Sequence, residues 1–252
     1  LFPCSRTIPM DDVRTVAWKE WRELLRMSGT RRSAIARHIF SVAVISVLWP
    51  WQFGPSFLTT HLAVTLASLT AAIYVAGAAP DAFAGERERH TLETLLASRL
   101  PDRAILLGKI AALLEYGCAA AVLMLLFGLI TVNVVHGEGQ LLLYSRRAFV
   151  SALLFTPLAA GLVAAIGIHV SLFAKTVKQA QQTFSTAALV VMFIPIIAIS
   201  IAGEERIGAL IEGMREPGDT AFSVYVAVTM IGIQLLLFWW AILRFKRGRL
   251  IL

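Results

Sequence analysis

The sequence predicts an all-α integral membrane protein: six transmembrane helices, an N-terminal interfacial amphipathic helix, and a short cytoplasmic helix between the second and third spans. Three observations carry this. The chain is 58% hydrophobic and only 15% charged, against roughly 45–50% and about 25% in soluble domains, so a water-soluble fold has nowhere to hide its apolar surface. Its apolar residues fall in runs near the ~20 residues needed to cross a hydrocarbon core of about 30 Å. Its basic residues collect in alternate loops.

The elements follow in chain order. LFPCSRTIPMDD at the start has no basic stretch followed by an apolar one, so no secretory signal is expected there. In DDVRTVAWKEWRELLRMS, the apolar Ala17, Trp18, Trp21, Leu24 and Leu25 recur at helical spacing, with Arg14, Lys19, Arg22, Glu23 and Arg26 on the other face. This predicts an amphipathic helix over about 12–27, lying in the membrane interface with two tryptophans at headgroup depth. Apolar runs predict spans at about 38–54, 57–79, 109–135, 148–173, 184–202 and 221–243. Pro50, Pro157 and Pro195 fall within or at the ends of spans, where neighbouring helices can satisfy the freed carbonyls. The second and third runs are long enough to tilt or extend past the membrane.

Nineteen of the 23 Lys and Arg residues lie before span one, between spans two and three, between four and five, or after span six. Only Arg146, Arg147, Arg206 and Arg215 fall on the other side. The positive-inside rule then places both termini in the cytoplasm, and the membrane expected is a bacterial-type plasma (inner) membrane. The net charge of +7 is thus topological, and no nucleic-acid partner is implied. Outer loops are short; the last, GEERIGALIEGMREPGDT, is expected to hold a short helix over IGALIEGM. Cys4 and Cys118 make neither a disulfide framework nor a metal site. With no repeats or linkers, residues 1–252 read as one domain.

Catalytic and cofactor signatures are absent from the sequence. Gly108-Lys109 lacks the preceding glycine and following hydroxyl of a phosphate-binding loop, and His90 has no second histidine four residues on. There is no GxSxG elbow. Glu115 is the one acid inside a span and is a functional candidate for that reason, although its position near the end of the span suits a structural or interfacial role. His61 and His169 read as packed or interfacial.

The segment AFAGERERHTLETLLASRLPDRAILLGK, residues 82–109, carries nine charges in 28 positions between two apolar runs. Leu92, Leu95, Leu96 and Leu100 form a helical stripe, His90 or Thr91 can cap it, and Glu93 sits where the helix dipole favours an anion. Two readings remain: a docking element for a partner, or a solvated hairpin.

The run G-E-R-E-R-x-T-L-E-x-L-L, ending in L-L-G-K, resembles the permease subunits of type-2 ATP-binding-cassette (ABC) exporters. Gly85, Glu86, Arg87, Glu88, Thr91, Leu92, Glu93, Leu95, Leu96, Gly108 and Lys109 match; His90 stands where the family commonly has glycine. The Trp-Lys-Glu-x-x-x-x-Leu-Arg pattern, with Trp18, Lys19, Glu20, Trp21, Leu24 and Leu25, is similar to the family's N-terminal connecting helix. The run with Lys175, Lys178, Gln179 and Gln181 is similar to its second cytoplasmic loop. The resemblance implies that residues 82–104 hold a coupling helix seated in a groove of a separate ATPase. The leucine stripe would supply the buried contact, and Glu86, Arg87, Glu88 and Glu93 complementary charge. It further implies two ATPase copies that bind ATP and Mg, a second permease chain, identical or related, and no cofactor or catalysis in this chain. A stand-alone secondary transporter using Glu115 is the competing reading, and a membrane-embedded enzyme a third.

Overall fold

The structure, a computed structural model, describes residues 10–25, 31–202 and 219–245. Side chains are described for 10–25, 40–95, 97–189, 221 and 223–245. Every regular element among them is helical: α1 Met10–Leu24, α2 Arg31–Phe53, α3 Pro55–Thr59, α4 Leu62–Ala78, α5 Asp81–Glu88, α6 Leu92–Ala97, α7 Asp102–His136, α8 Arg146–Phe173, α9 Val177–Ala202 and α10 Asp219–Arg244. The expected helix over IGALIEGM lies outside the described residues.

Among the described residues, four stretches are long and apolar enough to cross a membrane: Leu62–Glu88, Asp102–His136, Arg146–Phe173 and Ser223–Arg244. Their outward surface is an apolar belt, with Leu69 and Ile73 on α4, Val122, Leu126, Ile130 and Val134 on α7, Leu153 on α8, and Leu235, Leu236 and Trp239 on α10 all exposed. Helices satisfy their backbone groups internally, which is what a chain facing hydrocarbon requires.

Helix α7 is the hub, packing on α1, α2, α4 and α8, while α8 also meets α5, α9 and α10. The contacts are made by small residues. Ala63, Ala67, Ala71, Val75 and Ala78 run down one buried stripe of α4, facing a core that includes Ala160, Ala164 and Ile168 of α8. A methyl group on Gly117 of α7 would lie 2.6 Å from Val75 and 3.0 Å from the Ala71 carbonyl. Close backbone approach of this kind drives helix association in a solvent as apolar as the side chains themselves.

Two boundaries differ from the sequence expectation. The second apolar run does not start as one helix at 57: Gly54, at φ 55°, turns the chain into α3, whose Phe57 and Leu58 are fully buried plugs, before α4 begins at Leu62. At its other end α4 breaks only briefly at Ala79-Pro80 before α5 continues it, so the charged motif begins on an extension of the span. Helix α7 is 35 residues, about 52 Å at ~1.5 Å per residue, and overruns the bilayer. The surplus carries Gly108 and Lys109.

Helix α1 packs along the bundle: Val16, Ala17 and Glu20 are buried, Trp21 and Leu24 pack on the core, and the main contact is α7. A methyl group on Gly108 would lie 2.6 Å from Val16, so the glycine sets how closely α1 lies on α7. Trp21 meets Tyr116 edge-on at 6.0 Å. Trp18, predicted to share the apolar face, points outward at 62% exposure.

Candidate functional site: a charge-laced junction at one end of the bundle

The charged motif lies where α1, α5, α7, α8 and α9 converge, and its first four residues, Gly85 to Glu88, are each tied within the chain. Gly85 is buried, and a methyl there would collide with Asp81 and Arg89. Glu86 is 3% exposed, with Oε1 2.9 Å from Lys109 Nζ and 3.1 Å from Lys19 Nζ. Arg87 donates to the carbonyls of Leu172 and Ala174, the open C-terminal end of α8. Glu88 Oε2 accepts from the Val177 backbone N–H at 2.9 Å, at the start of α9. Both contacts satisfy groups that helix ends leave unpaired, with charge of the sign that the helix dipole favours.

Lys109 is the centre. It is 1% exposed, bonds Glu20 and Glu86 at 2.9 Å each, and lies 5.2 Å from the centroid of the Phe83 ring. Lys19 bonds the same two carboxylates at 3.1 Å each, with Glu23 at 3.3 Å. Burial alone would lower Lys19, but Glu20 and Glu86 outweigh it and hold the ammonium above its ordinary range. Burial alone would raise Glu20, yet Lys109 and then Lys19 hold its carboxyl below the usual range. One oxygen from each of Glu20, Glu23 and Glu86 lies within 4.8 Å of the others, a spacing a metal could use. Two ammonium groups already stand among those oxygens, so the chain itself meets most of their charge. A cavity of about 680 Å³ opens beside the cluster, lined by Glu20, Glu86, Lys109, Arg89 and Leu95 among others.

The elbow between α5 and α6 explains the family's glycine. The His90 N–H reaches the Arg87 carbonyl at 3.1 Å, the Thr91 N–H reaches the Glu86 carbonyl at 2.9 Å, and His90 sits at φ 55°. This is a Schellman cap, whose left-handed residue is usually glycine. The turn therefore forms here with a histidine where glycine is easiest. Thr91 makes no side-chain cap to α6; its hydroxyl donates instead to the Glu86 carbonyl.

Other expectations need correction. The leucine stripe does not face outward: Leu92 is buried and Leu95 and Leu100 pack on the chain's own core; the Leu96 side chain lies outside the described residues. Glu86 faces inward too, because two lysines are there to neutralise it. What α6 exposes is Glu93, Thr94 and Ala97. Lys175, Lys178, Gln179 and Gln181 are exposed at the neighbouring α8–α9 turn, where Gln179 Oε1 accepts from the Lys175 N–H and Thr176 caps α9. Glu115 is exposed on α7, turned away from the bundle interior where transport relays sit.

Sequence reasoning missed Ser171. Buried on α8, its hydroxyl donates to the Pro80 carbonyl at 2.7 Å and accepts the N–H groups of Phe83 and Ala84 at 2.9 and 3.0 Å. It thereby seals the Ala79-Pro80 break. A lone serine in an apolar run gives no signal of this; the Pro80 between α4 and α5 was the clue.

Among the described residues, every regular element is helical and four stretches can cross a bilayer, with a charged junction at one end: this is a multi-pass membrane protein. Residues 30–246 match the ABC-2 family of transporter proteins, and the chain belongs to that family. It is 31% identical over 143 residues to the ABC transporter permease protein NatB of Bacillus subtilis (strain 168), a match covering 54% of this chain and 36% of that protein. The chain thus spans about a third of the relative it matches. It is thus a multi-pass membrane protein of the ABC-2 transporter family.

Proposed function

We propose that this chain is the permease of an ABC exporter in which a separate ATPase drives substrate movement through the junction just described. The observation that supports this is the wiring of the GERE motif, whose residues tie one elbow to α1, α7, α8 and α9. A push on the elbow has no soft joint in which to dissipate, so it moves several helices together. The ATPase contact in this reading is the exposed rim, with Glu93, Thr94 and Ala97 of α6 beside Lys178 and Gln181 of the α8–α9 turn. Rim charges steer register and partner choice more than affinity. Helix α1, held to α7 by Gly108 and the Lys109 cluster, acts as the lever at the inner leaflet.

Six spans, both termini in the cytoplasm, two permease chains and two ATPase copies holding ATP and Mg complete the reading. Helices α2 and α9 supply the two spans beyond the four long apolar stretches. Solubilising the chain from its own membrane and assaying ATPase activity tests it. The expected result is a stoichiometric ATPase subunit that is lost on Glu93→Lys while the permease still folds. Glu86→Lys is uninformative about docking, because it breaks internal pairs. If the chain comes out alone and Glu93→Lys changes nothing, the docking assignment is wrong.

A further inference from the structure

A second site lies apart from the charge cluster, where α8, α9 and α10 meet at the same end of the bundle. A cavity of about 330 Å³ is lined by His169, Phe173, Gln179, Thr183 and Trp240, among others. His169 is 9% exposed, and its Nδ1 lies 2.8 Å from the Ala165 carbonyl. A carbonyl can only accept, so Nδ1 carries a proton, and in the neutral imidazole Nε2 is the acceptor. That Nε2 is buried with no partner, and a buried acceptor left unpaired is costly. The Trp240 ring lies 4.9 Å from the imidazole. The Arg244 guanidinium sits 5.1 Å from the Trp240 ring centroid and 5.7 Å from that of Phe173, and pairs with no carboxylate among the described residues.

The depth of this cavity points to its occupant. Phe173 and Arg244 are the last residues of two stretches able to cross the bilayer, so the site stands at the boundary between hydrocarbon and headgroups. We propose that it holds one glycerophospholipid whose headgroup carries a hydroxyl or ammonium donor. The phosphate pairs with Arg244, which stacking on two rings holds in place. The headgroup donor satisfies His169 Nε2. Choline is disfavoured: it has no donor for Nε2, and Arg244 already lies over the aromatic faces that would hold a quaternary ammonium.

The test uses the full chain purified from its membrane with any subunits it carries. It is incubated with mixed micelles of phosphatidylglycerol, phosphatidylethanolamine or phosphatidylcholine, and retained lipid is counted by native mass spectrometry. Phosphatidylglycerol and phosphatidylethanolamine should each exceed phosphatidylcholine by about fivefold, the worth of one hydrogen bond. Arg244→Gln, at an exposed position, should lower retention of all three by about fivefold, the contribution of one interfacial cation. His169→Ala should erase the preference for protic headgroups while leaving phosphate-dependent retention. Equal retention of all three lipids by the unaltered chain overturns the proposal, as does an Arg244→Gln variant indistinguishable from it. Displacement of bound lipid by millimolar inorganic phosphate would make this a free-anion site and overturn it as well.

Discussion

Replacing Lys109 by methionine tests the central junction most directly. The ammonium is 1% exposed and 2.9 Å from a carboxylate oxygen of both Glu20 and Glu86. Without it, two carboxylates whose oxygens lie within 4.8 Å of each other repel by about 3 kcal/mol at an effective dielectric constant near 20. Removing one partner of a buried pair typically costs about 3–5 kcal/mol, in agreement. Lys19 cannot compensate fully, since its side chain is 45% exposed and water screens its field. At roughly 2–4 °C per kcal/mol for a chain of this size, Lys109→Met should lower the melting temperature by about 10 °C. A fluorescent-protein fusion followed by size-exclusion chromatography after heating reads this in detergent. The double variant Lys109→Met/Glu86→Gln removes one charge of each sign and should recover more than half of the loss. If the single variant melts with the parent, or the double variant loses as much as both singles summed, the cluster is not coupled as described.

Four further outcomes follow from the same geometry. Gly108→Ala should cost about 1–3 kcal/mol, because the new methyl meets Val16 at 2.6 Å and must push α1 off α7; quenching of Trp21 fluorescence reads the displacement. His90→Gly should stabilise the chain by roughly 0.5–1 kcal/mol by relieving a left-handed side chain, seen as a melting temperature a few degrees higher. Ser171→Ala leaves the Phe83 and Ala84 N–H groups unpaired and should cost about 1–3 kcal/mol, with faster hydrogen exchange at those two amides as its signature. For pH, Glu20 is depressed, so its contribution is complete above its ordinary carboxylate value and lost only as pH falls through the lower folded value. Lys19 is raised, so its contribution is complete below 10.5 and lost only above that. Exposure of Trp21 should therefore stay flat between about pH 5 and 10; a transition near neutrality would refute the cluster's charge assignment.

Much of the architecture was legible because hydropathy and charge act residue by residue. A helix must be apolar to face lipid, so the runs at 109–135 and 148–173 announced α7 and α8, and alternating basic loops announced which ends lie together. The motif at 85–96 was legible as special for a similar reason: dense mixed charge beside a span demands an explanation. Its direction was not legible. Charges in a segment between two spans look presented to water or a partner, and only the fold reveals that Lys109, 23 residues on, and Lys19, 67 residues back, converge on Glu86.

The sequence by itself determined the class: an all-helical membrane chain whose one unusual feature is the GERE segment. The tertiary structure decided which groups of that segment are spent internally and which remain exposed. The physical reason is that burial of charge is a property of neighbours. A carboxylate can enter the core only where cations from other helices meet it, and no local pattern records where those helices will lie. The same holds for Ser171 and His169, each an unremarkable polar residue in an apolar run until the facing helix supplies an unpaired group or leaves one.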